Sequence, residues 1–295
     1  MAGVVTVAGG TTWLKALLYS ITHRSDENNN NLLSSKHPQE LIPSLETNLY
    51  VRHGEKNEKS PESLLTLNED PMKIRVLGTH IPYQILGDVL NSSECKIVYV
   101  TRNPKDTLVS LWHFVCKSEK VEEDLWELEA AVDQFCNGIV VFGSFYDHVL
   151  GYREESVKRP DKVFLVTYEE MQENPKKCVK ELGEFLACPF DEGENGEMEI
   201  SEIVRNCSFE KLSNQGVNKS SELPDGFPLP YSSFFRKGQM VAIVKDKYYL
   251  EAYRAQMMRE FWELRQRPRS VDVYERDFTC MKFCPTPRWS TEPLS

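Results

Sequence analysis

Short apolar runs rich in β-branched residues, each followed by a turn and a stretch of helical spacing, constrain this chain more than any other feature. Val4–Val7 leads through Gly9 and Gly10 into a segment where Leu14, Leu17, Leu18 and Ile21 recur at three- and four-residue intervals, one face of a helix. Lys96–Thr101 is almost uniformly apolar, as a strand covered on both faces must be. A break at Pro104 follows it, then a helical pattern through Leu108, Leu111, Trp112 and Val115 with Asn103 or Asp106 as N-cap. Met72–Thr79 alternates like a strand; Lys162–Tyr168 reads as another, with an amphipathic helix behind it over Pro175–Leu186. Helical patterns also cover 120–136 and Tyr146–Val157. Strands separated by helices of this length predict an α/β fold, a central parallel sheet flanked by helices.

The polar stretches at 25–31 and 54–62 read as loops, Lys245–Arg267 as a charged helix, and 268–295 as a loose, divergent tail. With 295 residues, 40% of them hydrophobic and 27% charged, the chain can bury a core. The net charge of −10 argues against non-specific nucleic-acid binding, which needs an excess of Lys and Arg on some face, but leaves room for a small anion held by a few local cations. No apolar run reaches the 18 or so residues of a membrane span, and Met1–Ala8 lacks a basic start and an apolar core, so the expected compartment is the cytoplasm. The eight cysteines are scattered, several inside apolar runs, and read as free thiols; Cys280 and Cys284 have no second pair at zinc-ligand spacing.

The pieces that carry chemistry fall at strand ends. A strand turning through Gly10 into Thr11, Thr12 and Trp13 aims backbone N–H groups, a helix dipole and two hydroxyls at one spot, a cradle for phosphate or sulfate. It is not a Walker A loop, since no Gly-Lys-Ser/Thr closes it. Arg102 follows the Lys96–Thr101 strand where ligands of open α/β sheets bind, and Ser110 lies about two turns into the next helix. Phe234-Phe235-Arg236-Lys237-Gly238 offers two adjacent cations beside a glycine. His80 ends the Met72–Thr79 strand, where an imidazole can act as a general base if it meets a substrate proton. The other five histidines have no comparable placement, and His113 and Trp112 read as helix packing.

Four patterns, Gly10-Thr11-Thr12-Trp13-Leu14-Lys15, Thr79-His80-Ile81-Pro82-Tyr83, Tyr99 to Asp106, and Phe234 to Gly238, stand in an order and at separations that resemble the cytosolic sulfotransferases. The resemblance is closest to the plant-type, flavonol sulfotransferase-like branch. It runs nearly continuously over residues 8–238, with Tyr146–Tyr152, Thr167–Met171 and Cys207–Asn214 as linking segments. It implies a single P-loop-like, three-layer domain over 1–267, the donor 3′-phosphoadenosine 5′-phosphosulfate, transfer of its sulfuryl group to a hydroxyl of a small phenolic or steroid-like acceptor, and no metal. By the resemblance, Gly10, Thr11 and Thr12 would hold the 5′-phosphosulfate, and Trp13 and Phe209 would pack on the adenine. Arg102, Ser110, Arg236, Lys237 and Gly238 would bind the 3′-phosphate, Tyr168 would lie near the nucleoside, and His80 would be the base.

The chain also departs from that family. The family loop reads Pro-Lys-Ser before Gly-Thr-Thr-Trp, and its lysine stabilises the bridging oxygen as the sulfuryl group leaves; here Val7, Ala8 and Gly9 occupy those positions. Lys15 lies too far into the helix, roughly 7–10 Å along its axis, to replace it. Family members carry a substantial segment before this loop, where this sequence has only Met1–Val7, so a shortened first strand is expected. After Gly238 the family continues Gly-x-x-Gly-Asp-Trp, which Gln239–Ile243 do not match.

Overall fold

The computed structural model describes residues 2–7, 11–24, 32–46, 74–91, 93–120, 126–224 and 229–235. The expectations for 25–31, 54–62, 245–267 and the tail fall outside them. Four strands, β1 (Ala2–Val7), β2 (Arg75–Thr79), β3 (Lys96–Thr101) and β4 (Val163–Thr167), form a parallel sheet in the order β2-β1-β3-β4. β1 pairs at five positions with each neighbour, from Ala2 opposite Arg75 to Thr6 opposite Thr79, and from Gly3 opposite Lys96 to Val7 opposite Val100.

Because side chains alternate along a strand, β3 feeds two cores. Val98 and Val100 pack with Leu14, Leu17, Leu18 and Ile21 of α1 (Thr11–Thr22) on one face. Ile97 and Tyr99 pack on the other face with residues of three later helices. α2 (Leu32–Ser35) and α3 (Pro38–Leu41) follow α1, and α4 (Tyr83–Asn91) follows β2. α5 (Pro104–Ser118), α6 (Leu128–Cys136) and α7 (Phe145–Lys158) cover the second face, chiefly through Leu108, Trp112, Phe135, Phe145, Val149 and Tyr152. α8 (Tyr168–Glu173), α9 (Pro175–Phe185) and α10 (Glu194–Asn206) return to the first face through Met171, Val179, Leu182, Ile200 and Ile203. α11 (Phe209–Ser213), α12 (Gly216–Lys219) and a 3₁₀ turn at Tyr231–Phe234 follow. This is the helix, sheet, helix layering that the sequence predicts.

Local chemistry decides the element ends. Asn103, not Asp106, caps α5: its side-chain oxygen accepts the Lys105 N–H at 3.0 Å, with Pro104 opening the helix. The continuous helix expected over 120–136 is not formed. α5 stops at Ser118, Lys120 takes a positive φ of 53°, and α6 begins only at Leu128. Tyr168, expected to end a strand, opens α8 instead, because Thr167 accepts the Glu170 N–H while the Glu170 carboxylate reaches back to the Thr167 N–H, a capping box. Cys95, Cys116, Cys136, Cys178, Cys188 and Cys207 are free thiols, as read from their scatter; Cys280 and Cys284 lie outside the described residues. Among the described residues no helix is long and apolar enough to cross a membrane.

Candidate active site

The parallel register levels the carboxyl ends of all four strands. Thr6 sits opposite Thr79, so His80 comes level with Val7 at the end of β1. Thr101 sits opposite Thr167, so Arg102 and Tyr168 leave the sheet side by side. His80, Arg102 and Tyr168, far apart in the chain, therefore meet the end of β1 at one rim, the position at which open parallel sheets bind ligands.

On the β3–β4 side, the Arg102 guanidinium lies 4.7 Å above the Tyr168 ring and pairs with Asp106 one turn into α5 at 3.6 Å. Tyr168 in turn meets Trp13 edge to face, with ring centroids 5.5 Å apart. Burial pushes the Tyr168 hydroxyl pKa up, and the charge of Arg102 opposes this. Arg102 Nε, Asp106 Oδ2 and Thr101 Oγ1 are buried without a hydrogen-bond partner among the described residues. A ligand with acceptor oxygens beside this guanidinium would satisfy it, so the residues present fit a phosphate. Trp13, Arg102 and Tyr168 thus lie together. Ser110 is on the exposed side of α5, and Phe209 is partly exposed at the start of α11, its ring 6.3 Å from that of Phe235. Gly10, Arg236, Lys237 and Gly238 lie outside the described residues.

At the start of α1, Thr12 is buried and its hydroxyl accepts a bond from Gln39 Nε2 at 3.4 Å. No acidic side chain occupies the first turn of α1, whose positive end favours an anion.

The β2 side holds the base candidate. The His80 imidazole stacks on Phe142, with centroids 5.5 Å apart and planes 14° from parallel. Burial lowers its pKa to about 4, helped by the charge of Lys15 and by His148 and opposed by Glu46. The ring is therefore neutral at physiological pH, the form that can take a proton. Its backbone is clamped from two directions. Glu46 Oε1 accepts both the His80 N–H and the Thr79 hydroxyl, the latter at 2.5 Å. From α7, His148 Nε2 bonds the His80 carbonyl at 2.8 Å and the Tyr152 hydroxyl bonds the Ile81 carbonyl at 2.7 Å. A carbonyl only accepts, so His148 carries its proton on Nε2, and its Nδ1 accepts the Tyr99 hydroxyl at 3.0 Å. Sequence reasoning gave His148 no role, and this contact corrects it. The signal was there: His148 and Tyr152 stand four apart on one helix face, inside a segment that carries the family resemblance.

Comparison with known proteins agrees with this geometry. A sequence model of the family described as "Sulfotransferase domain" matches residues 4–263. The chain belongs to the sulfotransferase family. It is 41% identical to cytosolic sulfotransferase 12 of Arabidopsis thaliana over 242 residues, which cover 80% of this chain and 69% of that relative. A crystal structure of an Arabidopsis thaliana sulphotransferase shares 38% identity, with a TM-score of 0.56 over 72% of this chain and 69% of its own. Mouse sulfotransferase SULT7A1, solved in complex with PAP, shares the fold at 22% identity and a TM-score of 0.61, over 95% of this chain and 87% of its own. Membership places the chain among plant-type cytosolic sulfotransferases, enzymes dependent on 3′-phosphoadenosine 5′-phosphosulfate, with a P-loop-like α/β fold.

Proposed function

We propose that this chain moves the sulfuryl group of 3′-phosphoadenosine 5′-phosphosulfate to a hydroxyl of a small phenolic or steroid-like acceptor, with His80 as general base. The observation that carries the reading is the level register, which brings His80, the start of α1, Arg102 and Tyr168 to one rim. Neutral His80 takes the acceptor's hydroxyl proton as the oxygen–sulfur bond forms. The sulfur–oxygen bond to the 5′-phosphate breaks, and adenosine 3′,5′-bisphosphate departs with that electron pair. Thr11, Thr12 and the first N–H groups of α1, with Gly10, face the charge that builds on the leaving phosphate. Arg102, Ser110, Arg236, Lys237 and Gly238 take the 3′-phosphate, Trp13 and Phe209 pack on the adenine, and Tyr168 borders the nucleoside. Transfer of this kind depends on in-line positioning and charge stabilisation, and no residue in this scheme calls for a metal. We assign the cytoplasm as the compartment on the cytosolic naming of the relatives, and neither a nucleic acid nor a membrane as partner. The catalytic domain spans 1–267 and the remainder is a tail.

One observation favours a second reading, a nucleotide-binding relative without transfer: Ala8 stands where the family loop has its lysine. Loss of one such donor costs about 10²–10³-fold in turnover, about 3–4 kcal/mol, while the binding residues are untouched. Calorimetric titration with adenosine 3′,5′-bisphosphate beside a transfer assay on phenolic and steroid hydroxyls separates the two. Slow transfer that vanishes in His80→Ala supports the enzyme. Binding without any transfer supports the second reading, and absence of both overturns the site.

A further inference from the structure

Lysine is almost never fully buried without a reason, yet the Lys15 side chain is 1% exposed, in a helix whose other buried residues are mostly apolar. Its amine donates to Gln39 Oε1 and, at 2.9 Å, to Ser44 Oγ. Each contact leads to one half of the site. Gln39, its carbonyl held by Lys15, presents its amide nitrogen to the Thr12 hydroxyl at the start of α1. Ser44 forms a parallel bridge with Gly78 of β2, and Gly78 N–H bonds the Pro43 carbonyl at 2.9 Å. Two residues on, Glu46 holds Thr79 and His80. Glu46 uses one oxygen for both, while its Oε2 is buried without a hydrogen-bond partner among the described residues, and its charge acts on the Lys15 amine.

Gly78 shows that the space is cut to fit. A Cβ added there would come within 2.7 Å of Lys15 Cε and 2.9 Å of its Nζ. Both atoms end a side chain already fixed by two hydrogen bonds, so only glycine lets the amine run under β2.

We propose that Lys15 is a positioning residue that locks the donor-binding end of α1 to the strand end carrying His80. The link rests on the reading of Thr12 as a donor ligand and His80 as base given above. It works through two arms, Gln39 to Thr12 and Ser44 with Glu46 to His80, so that the phosphosulfate cradle and the imidazole keep a fixed separation. In-line transfer needs such a separation, since reacting groups must meet within a few tenths of an ångström of the productive geometry. The titratable groups around the amine are Glu46 after the bridge at Ser44, His37 before α3, and His80 at the end of β2, the two imidazoles both held neutral by burial. Burial lowers the amine's own pKa to about 7, against which Glu46 acts.

Two variants test the link in the full-length chain: Lys15→Met, which keeps the length and removes the charge, and Gly78→Ala, which keeps the charge and evicts the amine. Two readouts are taken, the titration of the His80 ring followed by nuclear magnetic resonance without ligand, and calorimetry with adenosine 3′,5′-bisphosphate. Lys15→Met is expected to raise the His80 midpoint by about one unit, because a neighbouring positive charge is lost, and to weaken bisphosphate binding about tenfold. Gly78→Ala is expected to move the same two readouts away from the wild-type values, and it decides the matter alone if Lys15→Met does not fold. A His80 midpoint unchanged in a folded variant overturns the proposal whatever the ligand does. Failure of the wild-type protein to bind bisphosphate overturns the donor-site reading instead, and leaves the ring titration to judge the link by itself.

Discussion

His37 is a buried ring whose two nitrogens are in very different positions. Its Nδ1 accepts the Gln39 N–H at 3.1 Å and caps α3, and its face lies 4.2 Å from the Tyr231 ring, 3° from parallel. Adding a proton to Nδ1 would break the cap and bury a charge, so burial, reinforced by Lys15, lowers the pKa to about 3. The folded value lies below the unfolded 6.5, so the stabilisation is fully present above pH 6.5 and is lost as pH falls from there toward 3. The slope is about 1.4 kcal/mol per pH unit for one proton. Urea unfolding at pH 7 and pH 5 should show this loss. His37→Phe, which keeps a ring but cannot titrate, should be less stable at pH 7 by about 1 kcal/mol for the missing cap, and should lose less between the two pH values. For His80 the same direction of shift predicts that kcat/KM stays level down through pH 6.5 and falls only near 4. Ala8→Lys should raise turnover by about 10²–10³-fold with little change in bisphosphate affinity; unchanged turnover would mean that the loop lacks more than one donor.

Among the elements, α1 carries the greatest weight. Its residues Leu14, Leu17, Leu18 and Ile21 are all at or near zero exposure against Val98, Val100, Met171 and Leu182. Each such side chain contributes about 1.5–3 kcal/mol by burial. Leu18→Ala should therefore cost about 2–5 kcal/mol, the transfer loss plus a cavity, measurable as a shift of the denaturant midpoint with an unchanged slope. α1, β3 and α9 were legible in the sequence because their burial is periodic and periodicity is local. The boundaries that failed have a common cause. An apolar run does not reveal that Tyr168 has already turned into a helix, although Thr167 and Glu170 spell the capping box. A polar run likewise does not reveal the left-handed backbone at Lys120 that ends α5. The site divides in the same way. His80 and Arg102 follow strands that their apolar runs mark and Thr12 follows a glycine turn, whereas Trp13 and Tyr168 enter only through the family resemblance. Lys15, Gln39 and Glu46 could not be found, because the sheet brings their partners to them and no local spacing marks the contacts; His148 carries a signal only in its four-residue spacing from Tyr152.

For the molecule as a whole, a ligand that bridges the rim ties together strands and helices from both layers. Adenosine 3′,5′-bisphosphate at a hundred times its dissociation constant should add about 2.7 kcal/mol of stability by mass action, seen as a rise in melting temperature. Arg102→Ala should abolish most of that rise, since Arg102 carries the ion pair and the stacked ring on that side. A rise that survives the substitution would place the anion elsewhere.

The strand order has a kinetic consequence as well. β1 lies inside the sheet, yet both of its partners are distant: Ala2 meets Arg75, and Gly3 meets Lys96. No local hairpin can hold this segment in place while the chain emerges, and parallel pairing between remote segments is slow to nucleate. β1 can take its place between its neighbours only once β2 and β3 are both available to pair with it. The segment that leads into α1 is therefore held in the sheet only by contacts distant in sequence.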